Sequence, residues 1–163
     1  SGQAGTAPTI VIGGDGPQRG LLTQRALEAG IGDRVRLVGG VPWDEMPHFL
    51  AMADLAVVPS IRDSAGNVDG LPTVLLEAMA CGRPVVATAV SGALDVVEPE
   101  ENGLLTPPKD PAALAGAVAR LLADPTLAQR LGRAARQTIE ARYSWEKVGG
   151  RYLQIYQQLL RAG

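Results

Sequence analysis

Short, continuously apolar runs alternate along the chain with segments in which apolar residues recur at helical spacing. Thr9 to Ile12 is β-branched and apolar and breaks at Gly13-Gly14-Asp15-Gly16-Pro17, which predicts a buried strand followed by a turn. Leu21, Leu22, Ala26 and Leu27 then predict a helix over residues 18–29, and Val35 to Val38 a second strand that ends at Gly39-Gly40-Val41-Pro42. Asp44 is placed to cap a helix that tolerates Pro47 in its first turn and runs to Asp54. Leu55 to Val58 reads as a third strand, stopped by Pro59. A polar stretch from Ser60 to Gly70 follows, and helix is expected from Leu71-Pro72 to Cys81, where Gly82 can adopt the left-handed conformation that ends it. Pro84 to Ala87 predicts another strand, Ser91-Gly92 the start of a short helix, and Gly103 to Leu105 a last strand. Asp110-Pro111 and Asp124-Pro125 each combine a capping carboxylate with proline at the first helical position, and a final helix is expected from Ser144 to Leu160.

Continuously apolar strands alternating with helices predict an α/β fold, a doubly wound, Rossmann-like parallel sheet covered on both faces, with a helical carboxy-terminal tail. No internal repeat or low-complexity block interrupts it. The domain is expected to occupy residues 9–163. The small polar residues 1–8 lack a starting methionine and read as a linker or expression remnant. Ligands of such sheets bind beyond the carboxyl ends of the strands, so function is sought in the loops 13–17, 39–42, 59–70 and 88–92.

Composition narrows the classes. A chain of 163 residues that is 46% apolar fits one compact soluble domain. A net charge of −2, with no long basic run, gives no footprint for nucleic acid or for an anionic membrane. The single cysteine, Cys81, excludes an internal disulfide, and with only His48 beside it no four-ligand zinc cluster of the usual kind can form. Apolar runs fall far short of the roughly 20 residues that span a bilayer. A cytoplasmic address is the default expectation.

The most informative stretch is Asp69-Gly70-Leu71-Pro72-Thr73-Val74-Leu75-Leu76-Glu77-Ala78-Met79-Ala80-Cys81-Gly82. With the helix beginning at Leu71, Asp69 lies just before it and Glu77 about two turns inside, roughly 12 Å apart along the axis and too far to share a proton. Between them the free amides of Gly70, Leu71 and Thr73 face forward with the positive end of the helix dipole, a ready place for phosphate. A phosphate there would leave one carboxylate on each side to accept hydrogen bonds from sugar hydroxyls. The plainer reading makes Asp69 a dipole-complementing residue and Glu77 a solvated position off the core stripe of Leu71, Val74, Leu75, Ala78 and Met79. Spacing alone leaves both open. His48 reads as an ordinary, partly exposed histidine and Cys81 as a small packed residue. Trp145, Tyr152 and Tyr156 sit at spacings that make them packing anchors of the last helix; the alternative is that this helix crosses to a domain outside the chain.

At Asp69 through Ala87 the chain resembles family 4, or group 1, of the retaining glycosyltransferases of the GT-B fold, whose run has the form E-G-x-P-x-x-x-x-E-A-M-A-x-G-x-P-V-V-A. Gly14-Asp15-Gly16-Pro17 resembles the family's G-D-G-P turn, Val38-Gly39-Gly40-Val41-Pro42 its base-contacting loop, and Asp54 to Ser60 its A-D-x-x-x-x-P-S strand. Asn102-Gly103-Leu104-Leu105 with Asp110-Pro111 resembles its N-G-L-L…D-P segment, and Tyr143-Ser144-Trp145-Glu146 its F-S-W-E close. The resemblance covers nearly the whole chain from Thr9. It implies a carboxy-terminal donor-binding domain of a hexosyltransferase type. Glu77 would bind the ribose hydroxyls, and Asp69 would position the transferred sugar as the one candidate catalytic residue. Gly70, Leu71, Pro72 and Thr73 would lie along the diphosphate, Gly40 and Val41 would offer backbone groups to the base, and Gly14 and Gly16 would belong to the same donor site. The implied partners are a nucleotide sugar and an amino-terminal acceptor-binding domain, which alone would carry any membrane contact. No metal and no cofactor other than the donor substrate is implied, since no Asp-x-Asp pair occurs.

Two departures matter. Asp69 is one methylene shorter than the family's glutamate, which alters its reach to the sugar. The family's Arg and Lys that neutralise the diphosphate precede the point where this chain begins, so the fragment is expected to be inactive alone; Arg19 and Arg62 are the nearest substitutes. A dinucleotide-binding oxidoreductase fails on spacing, because Arg19 stands where the third glycine of the fingerprint belongs. A non-catalytic nucleotide-binding or interaction domain of the same fold is the alternative. A nucleotide-sugar epimerase fits less well the E-A-M-A-x-G run with its upstream acid.

Overall fold

The computed structural model describes residues 7–63 and 65–162, so the expected linker falls largely outside the described residues, as does Ser64 of the polar loop. It divides into two compact units, the first ending at Met46 and the second starting at Pro47. The fold is α/β with parallel strands, as the alternating pattern requires, but hydrogen bonding groups the strands in two ladders instead of one sheet. The element bounds follow the sequence pattern closely, with exceptions at α2 (Met46–Ala51) and at the start of α3 (Thr73–Ala80).

In the first unit, β1 (Ile10–Gly13) pairs in parallel with β2 (Val35–Gly39), Ile10 opposite Val35 and Ile12 opposite Leu37, and α1 (Arg19–Glu28) connects them. The expectation that β1 is buried fails: Ile10 is 47% and Val11 46% exposed. A two-stranded ladder with one short helix has too few elements to cover both faces of either strand, and Ala26 is the single buried side chain among the described residues of this unit.

The helix α2 (Met46–Ala51) is shorter than the 44–54 expected. The amides of Glu45 and Met46 both donate to the carbonyl of Pro42 at 3.0 Å, so a turn takes the place assigned to an Asp44 cap.

The second unit is built on β3 (Ala56–Val58), β4 (Val85–Thr88) and β5 (Leu104–Thr106), all parallel, with β4 in the centre. All four residues of β4 are buried, which requires cover on both faces. Val86 and Leu104 form a cluster with Leu121 of α5 (Pro111–Ala123) and Leu131 of α6 (Pro125–Arg142). Both helices start as the sequence predicts: Asp110 Oδ1 accepts the amide of Ala113 and Asp124 Oδ1 that of Leu127, each at 2.9 Å. Against β3 and β4 lies α3 (Thr73–Ala80), which buries Leu75, Ala78 and Met79. It begins two residues later than expected. Proline disfavours helical geometry in the residue before it, and Pro72 itself is extended at ψ 115°. Gly82 ends α3 at φ 68°, its amide donating to Met79 O and that of Arg83 to Ala78 O, the paired bonds of a Schellman cap.

After β4 comes the short helix α4 (Ala93–Val96). The turn that follows it is organised by Asn102, which is 2% exposed. Its Nδ2 donates to Val96 O and to Thr138 Oγ1, both at 3.1 Å, and its Oδ1 accepts the amide of Glu98 at 2.8 Å. One side chain thus joins α4, the turn and α6. Asn102→Ala leaves these partners unpaired, and a loss of about 2–3 kcal/mol is expected in urea unfolding, well above the cost of a surface change. Retention of wild-type stability would show that water replaces the amide without penalty.

The last helix, α7 (Trp145–Ala162), corrects a further expectation. Trp145, Tyr152 and Tyr156 are 88%, 61% and 63% exposed, so they do not anchor the helix to the unit. Its neighbour is α6, and of its described side chains only Val148 is half-buried. Tyr143, just before it, donates its hydroxyl to Asp95 O at 3.0 Å. Among the described residues no helix is long and apolar enough to cross a membrane.

Candidate functional site

The four loops expected to carry function are joined in pairs, one pair in each unit. In the first unit the turn after β1 meets the loop after β2 through the amide of Gly14, which donates to Gly39 O at 2.7 Å. Gly14 has φ 124°, a conformation that side-chain-bearing residues rarely adopt, so glycine is required there by the backbone. Asp15 Oδ1 accepts the amide of Gly16 at 2.9 Å, and Arg19 Nη2 donates to Leu37 O at 2.9 Å. Gly14, Gly16 and Gly40 are exposed and Val41 is half-buried; no atom lies within 4 Å of where a side chain would start at any of the three glycines.

In the second unit the loop before α3 meets the turn after β4. The amide of Gly92 donates to Gly70 O at 2.6 Å, and Thr88 Oγ1 donates to Ser60 O at 2.5 Å. No side chain caps α3, whose N-cap is Pro72; in its first turn the amide of Leu75 donates to Pro72 O at 3.0 Å, which leaves those of Thr73 and Val74 without a side-chain cap. Gly70 and Thr73 are exposed, Leu71 is half-buried and Pro72 is buried. Nothing lies within 4 Å of the place a side chain at Gly70 would occupy.

Asp69 and Glu77 are both exposed. Because α3 starts at Thr73, Glu77 stands about one turn inside it, not two, and the helical rise that predicted 12 Å does not apply to residues 69–72. The core stripe is Leu75, Ala78 and Met79, with Leu71 and Val74 half-buried, and Glu77 lies off it as predicted.

Between its fixed ends the 60–70 loop folds on Asp63. The side-chain amide and backbone of Asn67, with the amide of Ala65, hold that carboxyl below the usual carboxylate range. Arg62 Nη1 donates to Gly66 O at 2.7 Å. Both candidate cations, Arg19 and Arg62, therefore spend a donor on a carbonyl near them, which leaves the rest of each fork for other work. His48 is exposed and Cys81 half-buried, with Sγ 3.9 Å from Pro47 O, consistent with ordinary structural roles.

Two shallow depressions of the second unit are lined by no residue of these loops. One, of about 370 Å³, is lined by Glu98, Asn102, Thr138 and Arg142; the other, of about 300 Å³, by Thr106, Gly116, Ala117 and Arg120. The chemistry points instead to the open surface at the start of α3, where uncapped amides, an accessible backbone and two exposed carboxylates occur together. Sequence reasoning missed the parts played there by Thr88 and Gly92. Their signal was faint, a glycine opening the short helix after β4 in a loop already marked as ligand-facing.

A family model described as "Glycosyl transferases group 1" matches residues 4–138. Among curated relatives, the GDP-mannose-dependent alpha-(1-6)-phosphatidylinositol monomannoside mannosyltransferase of Mycobacterium tuberculosis is 36% identical over 143 residues, 87% of this chain and 37% of that protein. Among solved structures, sucrose-phosphate synthase from Thermosynechococcus elongatus superposes with a TM-score of 0.79 at 39% identity, over 94% of this chain and 38% of that one. The Anabaena protein HepE, solved in complex with UDP-glucose, superposes with a TM-score of 0.79 at 25% identity, over 92% of this chain and 41% of that one. The chain thus spans about two fifths or less of the length of these relatives. A family match over most of the chain, containing both loop pairs, means that the chain belongs to the group 1 glycosyltransferases.

Proposed function

We propose that the chain is the nucleotide-sugar-binding domain of a retaining glycosyltransferase, which moves a sugar from a nucleoside diphosphate donor to an acceptor. The observation that carries this reading is the start of α3: its first turn has no side-chain cap, Gly70 leaves the backbone approachable, and Glu77 stands exposed one turn further on. A diphosphate satisfies the free amides and complements the helix dipole. The carboxylate of Glu77 accepts hydrogen bonds from the ribose hydroxyls, Asp69 positions the transferred sugar, and Gly70, Leu71, Pro72 and Thr73 line the diphosphate. In the first unit Gly14 and Gly16 shape the turn, and Gly40 and Val41 offer backbone groups to the base. The relatives support a donor of this class, one being GDP-mannose-dependent and another holding UDP-glucose.

No residue here is assigned as a nucleophile. The chain supplies positioning and partial charge, and transfer also needs positive charge on the leaving diphosphate, so we assign acceptor binding and that charge to a second, amino-terminal domain. The isolated fragment is then inactive. Trp145, Val148, Tyr152, Ile155 and Leu159 form one apolar stripe along α7, and Trp145 and Tyr152 are largely exposed, which fits contact with such a domain. A single cysteine fits a reducing, cytoplasmic setting.

Titration of the protein with UDP, GDP and their sugar conjugates, followed by the amide NMR signals of residues 70–73 and 40–41, tests the assignment. Saturable shifts at these amides with preference for one base are expected. Saturable binding that moves other amides and leaves these unmoved removes the donor site from this place.

A further inference from the structure

Both ends of the 60–70 loop are tied to a single turn, residues 88–92. At the near end Thr88, buried in the last position of β4, gives its hydroxyl to Ser60 O at 2.5 Å. At the far end Gly92 gives its amide to Gly70 O at 2.6 Å. The turn itself is held in a costly shape, with Ser91 at φ 45° although it is not glycine, between the bonds Val90 N to Thr88 O and Leu94 N to Ser91 O.

Gly92 is glycine for space and not for conformation. Its φ of −62° and ψ of −14° suit any residue. A Cβ there would stand 2.6 Å from Gly70 O, 2.7 Å from Leu71 Cβ and 3.0 Å from Leu71 Cα. Two of these atoms are backbone and the third is fixed to it, so no side-chain rotation relieves the contact. The missing side chain at 92 therefore sets how closely Gly70 and Leu71 lie against the turn, and with them the direction in which the next amides face.

We propose that Gly92 and Thr88 are positioning residues for the donor diphosphate, acting through Gly70 and Ser60 without touching the ligand. This rests on the donor-site reading above. Hydrogen bonds to an anion weaken steeply as angle and distance depart from ideal, so a displacement of a few tenths of an ångström at Gly70 is felt at the phosphates and not at the nucleoside.

The test compares wild type, Gly92→Ala and Thr88→Val by NMR titration, using whichever of UDP and GDP the wild type prefers and the matching nucleoside, uridine or guanosine. Thr88→Val keeps the shape and strand preference of the residue and removes only the hydroxyl. Gly92→Ala is expected to weaken the diphosphate about tenfold or more, and Thr88→Val about threefold, with nucleoside binding within twofold of wild type in both. Equal losses for nucleoside and diphosphate, or no loss for either, overturn the proposal. Should Gly92→Ala fail to fold, Thr88→Val decides alone by the same comparison. A wild type that binds no diphosphate overturns the donor-site reading itself, which the variants cannot mimic.

Discussion

Glu77→Ala is expected to weaken binding of the nucleoside diphosphate about tenfold to a hundredfold while leaving the thermal midpoint unchanged or slightly raised. Glu77 is exposed, lies off the buried stripe of α3, and its carboxylate makes no hydrogen bond among the described residues, so folding loses nothing by its removal. Alanine is moreover the better helix former by a few tenths of a kcal/mol, roughly. Under the proposed donor-site reading, binding loses the charge-assisted hydrogen bonds of this carboxylate to the ribose diol. Two controls separate this from a general electrostatic effect. Glu77→Gln keeps the length and one acceptor oxygen but not the charge or the second acceptor, and should fall between alanine and wild type. A 2′-deoxy nucleotide should bind wild type more weakly than its ribose counterpart, whereas the alanine variant should hardly distinguish the two. Unchanged affinity in Glu77→Ala would make the residue a solvated helix position, and a lowered midpoint would make it structural.

Most of the elements were legible in the sequence because they are written locally. Asp110-Pro111 and Asp124-Pro125 carry cap and first helical residue in adjacent positions, and Gly82 marks the end of α3 by a conformation that few other residues adopt. The start of α3 lies two residues beyond Leu71, because proline extends the residue before it and Pro72 is itself extended, which a proline near a helix start does not reveal from sequence. That shift matters for the site, since it moves Glu77 about half a turn nearer the start of the helix. What periodicity could not give is which apolar faces find a partner. Thr9 to Ile12 and the stripe on α7 have the composition of buried elements, and Ile10, Val11, Trp145 and Tyr152 are exposed all the same. Burial depends on what else packs there, which no local pattern records. The ties from Thr88 to Ser60 and from Gly92 to Gly70 were hidden for a related reason, being contacts between segments separated in sequence by more than twenty residues.

Gly132→Ala should produce the reverse signature, a loss of stability with the donor site intact in the molecules that remain folded. Gly132 is buried in the middle of α6, where that helix crosses the end of α3. A Cβ at 132 would overlap the carbonyl oxygen of Gly82 and come within 3.2 Å of its carbonyl carbon and 3.3 Å of Pro84 Cδ. Neither neighbour can yield cheaply. Gly82 is fixed in its left-handed conformation by the two bonds of the Schellman cap, and Pro84 is a rigid ring at the entry to β4. The strain must therefore fall on α6, which carries Leu131, Ala135 and Ile139 into the core. Overpacking usually costs about 1–3 kcal/mol and more where, as here, the atom overlapped is backbone, against a gain of about 1 kcal/mol from alanine in a helix interior, so helix propensity loses. The net destabilisation of about 1–3 kcal/mol corresponds to a midpoint lower by roughly 3–10 °C for a chain of this size. Thermal and urea unfolding of Gly132→Ala check it, with diphosphate affinity measured well below the midpoint and expected within twofold of wild type. A variant as stable as wild type would mean that the contact between α3 and α6 is loose enough to absorb a methyl group and that Gly132 is not what sets their separation.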